Sequence, residues 1–242
     1  MNASSSALVE RLSPEGIAER LRIGSIAYLP LGSLEFHGPH LPIGLDALTA
    51  HGVCVAAAEI TGGVVLPPFY QAIGGEHAAY PWTIMSSTPE AIATLMTETL
   101  VRLQDFGVER AVILSGHFAD EQRGLVTAVA EHWSADGAHR MQVVARTLGQ
   151  APQPPVAPDH AGQFESLLLH AIDADLVNPA LLPDAAAFPA PADEDPFGPQ
   201  RHQADHPLHG VFGPDPRQLD LDLAAPLLAY LAGWVAALAT DA

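Results

Sequence analysis

Residues 29–50, LPLGSLEFHGPHLPIGLDALTA, decide how the chain reads. The apolar run just before and into this stretch, 26–31, predicts a buried strand, and the segment from about 45 predicts a helix. Between them, Glu35, His37, His40 and Asp46 fall within twelve residues, among prolines and glycines. That puts a polar cluster at the C-terminal end of a strand, where open α/β sheets place their ligands. Glu35 and His37 are two apart, so in extended chain they point to the same side. Asp46 can return to them across the loop. Carboxylate with imidazole suits Zn, Mn or Fe and poorly suits Ca or Mg. The competing reading is a set of solvated loop side chains, and a rigid Pro/Gly-framed loop makes it the weaker one.

Outward from this stretch the pattern repeats. Residues 46–60 form an Ala-rich helix closed by Gly62 and Gly63, and 64–66 a second strand. The long aromatic loop that follows, with Glu76, His77, Tyr80 and Trp82, reads as a pocket wall. Thr88-Pro89-Glu90 opens a helix, with Thr88 as N-cap, running to about Phe106. The strand 110–115 has a continuous apolar centre, as in a sheet covered on both faces, and ends in Ser115-Gly116-His117. A helix over 120–136 and a strand over 141–148 follow. A Pro-rich linker leads to DHAGQFES, 159–166, which enters a helix to about 176 with Glu165 in its second turn. Residues 178–216, rich in Pro, Ala, Asp and His, show no periodicity and read as an extended excursion lining the site or a subunit contact. Strand and helix alternate, which argues one domain over 1–242, an α/β three-layer α/β/α sandwich with a mostly parallel sheet. The polar clusters at 35–46, 117–120 and 160–165 then share one edge of the sheet.

Composition narrows the function. The chain has 242 residues, 48% of them hydrophobic, enough to bury a sizeable core. Its formal net charge is −18 and it contains no lysine. A nucleic-acid footprint is absent, and an anionic membrane surface would repel it. The single cysteine, Cys54, excludes an internal disulfide and reads as an inert buried thiol. The N-terminus lacks the basic and apolar regions of a signal peptide, so the cytoplasm is the expected compartment. The uncharged stretch 223–240 is near the lower length limit for a membrane span. Without positive anchors, it reads as a C-terminal helix buried against the body or a partner subunit.

The run GSLEFHGPHLPIGLDALTA resembles the N-terminal signature of the creatininase (creatinine amidohydrolase) family. The resemblance continues in order through SGHFADE, DHAGQFES and GVFGPDP. It implies a three-layer α/β/α fold, two divalent metal ions (Zn, Mn or Fe), and homo-oligomers, often hexamers. It also implies hydrolysis of a C–N bond in a small-molecule amide or cyclic amide. Carried over residue by residue, Glu35 binds one metal, His37 the other, Asp46 bridges them, and His117 is a further ligand. Creatininase proper has a ligand glutamate two residues after that histidine, where this chain has Ala119. Other branches use the glutamate of the HAG-x-x-E motif, here Glu165; Asp120 is a second candidate. His160 matches the family's catalytic histidine. SGHFAD stands where the family has NGHGGN, and Gln163 where it has an acid, which implies a changed substrate.

Two metals about 3.5–4 Å apart can share a hydroxide that attacks a carbonyl carbon. His160 would then protonate the leaving nitrogen. Hydrolysis of a C–C or ester-like bond is the rival within enzymes, and a non-catalytic scaffold or binding member the rival outside them. His40 reads equally as a partner orienting a ligand or as a loop histidine bonded to backbone. His51 reads as a helix-face residue without a role, and His77 as a substrate contact or a structural residue. His202, His206 and His209 read as a solvated loop.

Overall fold

The computed structural model describes residues 6–75, 79–86, 88–188, 200 and 203–240. Its centre is a parallel sheet of four strands: β1 (Ile26–Leu31), β2 (Val64–Val65), β3 (Arg110–Ser115) and β4 (Gln142–Thr147), in the order β2-β1-β3-β4. Every residue of β1 is buried, which is why its sequence is an unbroken apolar run. Pro30 is tolerated in this inner strand for a local reason. Its carbonyl accepts from the Phe69 amide at 2.9 Å, so its nitrogen faces the side on which β2 has already ended. Proline has no N–H to give on that side, and the regular β1–β2 pairing stops at Tyr28 and Val65.

Alternate residues of the strands feed two cores. Tyr28, Val65, Val112 and Leu114 meet α2 (Leu45–Thr61), α5 (Gln163–Ile172) and α6 (Ala224–Thr240) on one face. Ala27, Leu29, Ile113 and Val143 meet α3 (Pro89–Asp105) and α4 (Asp120–Ala135) on the other. The fold is therefore the expected α/β/α sandwich. Each fully buried large apolar side chain in these layers contributes roughly 1.5–3 kcal/mol. The helix α1 (Pro14–Ile23) precedes β1, with Leu21 packed against the second core.

The strand order sets the site. After β1 the chain turns to one face through α2, and after β3 it turns to the other through α4. The two neighbouring strand ends thus diverge and leave a crevice, the place where such sheets bind ligands. Two glycines let α2 close against it. A Cβ on Gly32 would lie 2.3 Å from the Ala47 nitrogen, and one on Gly116 would lie 1.9 Å from the Asp46 carbonyl oxygen. Only glycine permits so close an approach, and it carries the first turn of α2, with Asp46, into the crevice.

Several expectations need correction. The α5 helix stops at Ile172, followed by a separate 3-10 turn, Ala174–Leu176, so Glu165 lies in the first turn rather than the second. Thr88 precedes α3 but its hydroxyl makes no cap hydrogen bond. The 178–216 excursion is in part core: Leu182, Leu208 and Val211 pack with Leu41, Leu45, Ala161 and Leu169. With its leading turn, the C-terminal helix Leu221–Thr240 is long and apolar enough to cross a membrane. Here one face of it, including Leu227, Leu231 and Val235, packs in the core with α2 and α5 residues. Cys54 is fully buried in that layer, and burial pushes its thiol pKa up.

Candidate metal centre

The crevice collects Glu35, His37, Asp46, His117 and Glu165, each at most 5% exposed, with His160 beside them. Four segments supply them: the β1–α2 loop, the first turn of α2, the loop just after β3, and the start of α5. Asp46 sits between two groups. Its Oδ2 lies 3.3 Å from His117 Nδ1, which is also 3.0 Å from Glu35 Oε2. Its Oδ1 lies 3.2 Å from His37 Nε2, which is 3.6 Å from Glu165 Oε2. One carboxylate therefore faces Glu35 and His117 with one oxygen, and His37 and Glu165 with the other.

The surroundings hold these groups in place. The Ser33 hydroxyl, buried between two carboxylates, donates to Glu35 Oε2 at 2.9 Å and also bonds Asp46 Oδ2. The Glu35 carbonyl lies 2.9 Å from His37 Nδ1, so that nitrogen is the donor and Nε2 turns inward. Buried Nε2 faces two carboxylates yet makes no aligned hydrogen bond. It points between oxygens, as a ligand of a shared cation does. At α5, Glu165 Oε2 accepts the Ala161 amide at 2.6 Å. Ala161 is held at φ +56°, a left-handed conformation that costs a non-glycine residue about 1 kcal/mol or more and clusters at functional sites. Asp159 accepts the amides of Phe164 (2.9 Å) and Gly162 (3.2 Å), anchoring the helix start.

The electrostatics match a cation site. Burial opposes a charge on His37, but the carboxylates of Glu165 and Asp46 outweigh it and raise its pKa to about 10. Burial likewise opposes charge on His117, and Asp46 and Glu35 raise it to about 10. Burial would raise Asp46, but the two histidines hold it well below the usual carboxylate range. Burial pushes Glu165 well up and Asp159 up to about 7. Buried carboxyl groups so close together favour positive charge beside them, and in the chain alone it is His37 and His117 whose charged forms are favoured. Ligand atoms of Glu35, His37 and Asp46, and of His37, His160 and Glu165, lie within 4.8 Å of one another, and carboxylate with imidazole suits ions of the Zn or Mn kind.

His160 lies against His37, ring centroids 4.5 Å apart, with Nε2 3.2 Å from the Phe36 carbonyl and Nδ1 4.0 Å from Glu35 Oε1. A cavity of about 370 Å³ opens from this cluster, lined by Asp46, His117, His160 and Glu165 and, farther out, by Phe118 and Ala119. That volume is in the range of small-molecule sites.

The other candidates divide. Ala119 lines the cavity and offers no ligand atom. Asp120 does not take its place: its side chain is 83% exposed and pairs with Arg123 at 3.1 Å. His40 is buried, its Nε2 3.3 Å from the Ser166 hydroxyl, and burial with the nearby His37 charge lowers its pKa to about 4. It braces the start of α5 through the Ser166 hydroxyl and a backbone hydrogen bond with Ala161. His51 is half-buried on α2 near Glu10 and Arg11. His209 is buried and packs edge-on to Tyr80 at 4.7 Å, which corrects the solvated-loop reading. His206 caps its own turn. Tyr80 is buried near His160, whereas Trp82 is exposed. Glu76, His77 and His202 lie outside the described residues.

Sequence reasoning missed Ser33, Asp159 and Phe212. Ser33 stands two before Glu35, so the same alternation that aims Glu35 at the site aims Ser33 there too. Asp159 shares the HAG motif's start, where a side-chain acceptor for helix amides was legible. Phe212, which stacks on His160 at 5.4 Å and pairs with its backbone, had no local signal.

A parallel α/β sandwich with buried carboxylates and imidazoles gathered at its switch point defines the class of α/β proteins with a candidate metal centre at the sheet's edge. Comparison with known proteins narrows it. The family model for creatinine amidohydrolase matches residues 10–239, and the chain belongs to the creatininase family. It is 28% identical over 219 residues to the creatinine amidohydrolase of Pseudomonas putida, covering 77% of this chain and 82% of that one. It is 32% identical over 162 residues to the mycofactocin precursor peptide peptidase of Mycolicibacterium smegmatis, covering 64% of this chain and 61% of that relative. This chain thus spans about three fifths of the peptidase. A crystal structure of creatininase superposes with a TM-score of 0.76 over 96% of both chains at 23% identity, which shows the shared fold. Manganese and Zn–Zn forms of creatininase superpose similarly, with TM-scores of 0.75 and 0.73 at 20% and 22% identity.

Proposed function

We propose that the chain is a metal-dependent amidohydrolase that cleaves a C–N bond of an amide or cyclic amide at a two-metal site. The observation that carries this is the division of Asp46, whose two oxygens face two separate ligand groups. Glu35, Asp46 and His117 would hold one ion; His37, Asp46 and Glu165 would hold the other. Divalent ions bound there supply Lewis acidity and water acidified toward neutral pH. The chain's own residues do the rest. Ser33 fixes the two carboxylates, and the Glu35 carbonyl fixes the His37 tautomer so that Nε2 faces the site. His160, its Nε2 directed at the Phe36 carbonyl and its Nδ1 4.0 Å from Glu35 Oε1, lines the cavity and would give a proton to a departing nitrogen.

The matched relatives carry names of hydrolases of an amide and of a peptide. Ala119 sets this chain apart from creatininase proper, and the cavity it lines points to an amide other than creatinine. A second reading, cleavage of a bond other than C–N, draws on a further relative, the 3-dehydro-scyllo-inosose hydrolase of Thermotoga maritima, 26% identical over 109 residues, 45% of this chain and 35% of that one. Its named substrate is a cyclic ketone without an amide. The homo-oligomer and the cytoplasmic compartment belong to the same proposal. The test is a screen of zinc- or manganese-loaded protein against cyclic amides, formamides, peptides and ketone ring substrates. Turnover of an amide that Asp46→Asn abolishes supports the reading; turnover of the ketone alone moves it to the second.

A further inference from the structure

Gln122 is a fully buried amide at the start of α4, and the proposed chemistry does not use it. Burying an amide is costly unless every polar atom finds a partner. Here each does, and the partners run in one direction. Gln122 Oε1 accepts the Ile73 amide at 3.1 Å. Its Nε2 donates to Ser115 Oγ at 3.1 Å, and Ser115 Oγ donates to the His117 carbonyl at 2.7 Å. Three bonds thus join the loop at Ile73 to the backbone of His117.

That loop is a wall of the cavity. Gly75 lines it, and a Cβ on Gly75 would lie 3.8 Å from His117 Nε2. The wall is pinned again one residue along α4, where Glu121 Oε2 accepts the Gly75 amide at 3.3 Å. Gly74 and Gly75 both adopt positive φ, +81° and +75°, and a Cβ on Gly74 would lie 2.5 Å from that of Glu121. The loop backbone therefore lies flat on α4 only because these positions are glycine.

We propose that Gln122 is a positioning residue that couples the cavity wall at 73–75 to metal occupancy at His117. It rests on the two-metal reading above. His117, Glu35 and Asp46 would together hold an ion, and the Ser115–Gln122 bonds would link the His117 backbone so held to the Ile73 amide. Networks that orient a ligand in this way typically contribute 10–100-fold to metal affinity.

The test uses the full chain stripped with chelator and titrated with Zn²⁺ alone. Zinc affinity and amide exchange at Ile73 and Gly75 are read with and without zinc. In the wild type, zinc should slow exchange at these amides at least tenfold. In Gln122→Met, which keeps the volume and removes both bonds, affinity for one ion should fall about 10–100-fold, and zinc should no longer slow exchange there. Gln122→Glu guards against a folding failure. It keeps an acceptor for Ile73 but draws the Ser115 hydroxyl to itself, so affinity should fall while exchange at Ile73 in the metal-free chain stays slow. A folded variant with wild-type affinity and wild-type zinc-dependent protection overturns the coupling and leaves the two-metal reading standing. A wild type that binds no zinc overturns both.

Discussion

Beyond β1, the chain delivers Glu35 and His37 and returns Asp46 on α2, each no more than 1% exposed, with the two carboxylates held by Ser33 and His37 by the Glu35 carbonyl. Beyond β3, it delivers His117 alone, then Phe118 and Ala119, half-buried residues without a ligand atom that face an open cavity. One half of the site is built to hold and the other to admit. The donor missing from the β3 side comes from a third element, α5, whose first turn swings Glu165 to within 3.6 Å of His37. On the proposed two-metal reading, Glu165 would keep the ligand count while Ala119 leaves the neighbouring cavity wall open.

The sharpest break of this comparison is Asp46→Asn, which keeps shape and removes the charge shared by both halves. Both ions should lose affinity and activity should fall by roughly 10³-fold or more, the scale seen when one member of an interdependent constellation is removed. Metal analysis and steady-state kinetics check it. If only one ion weakens, the division of its two oxygens is wrong.

Glu165→Gln should remove the ion on the His37 side and spare the one near His117. Adding Ala119→Glu to that variant should restore metal from the β3 side while closing the cavity, so metal content recovers and KM rises. A double variant that does not regain the lost ion would mean that Ala119 does not border the second site.

Much of the holding half could be read from residues 29–50 alone. The i, i+2 alternation, the strand end and the helix start all lie within one stretch, so local rules suffice. The admitting half could not. Ser115 and Gln122 are ordinary in the sequence and become a relay only when the 69–75 loop packs on α4. His209 and Phe212 belong to a stretch without periodicity, yet the fold lays them against Tyr80 and His160. Asp120 misled because only tertiary packing shows that it turns out to Arg123.

Smaller effects refine the contrast. Ser33→Ala leaves two buried carboxylates without their shared donor, and metal affinity should drop about 10–100-fold, with a stability loss of about 1–3 kcal/mol in denaturant melts. Asp120→Ala, on the exposed rim, should change kcat/KM less than about twofold, because an exposed ion pair is worth only 0–1 kcal/mol. A tenfold loss there would return Asp120 to the site.

The most direct test of the two-metal account is metal content per chain, measured on wild type and Asp46→Asn side by side after loading with zinc or manganese and removal of free ions. The account predicts close to two ions in the wild type and fewer than one in the variant. One ion or none in the wild type, or two retained in the variant, would contradict it.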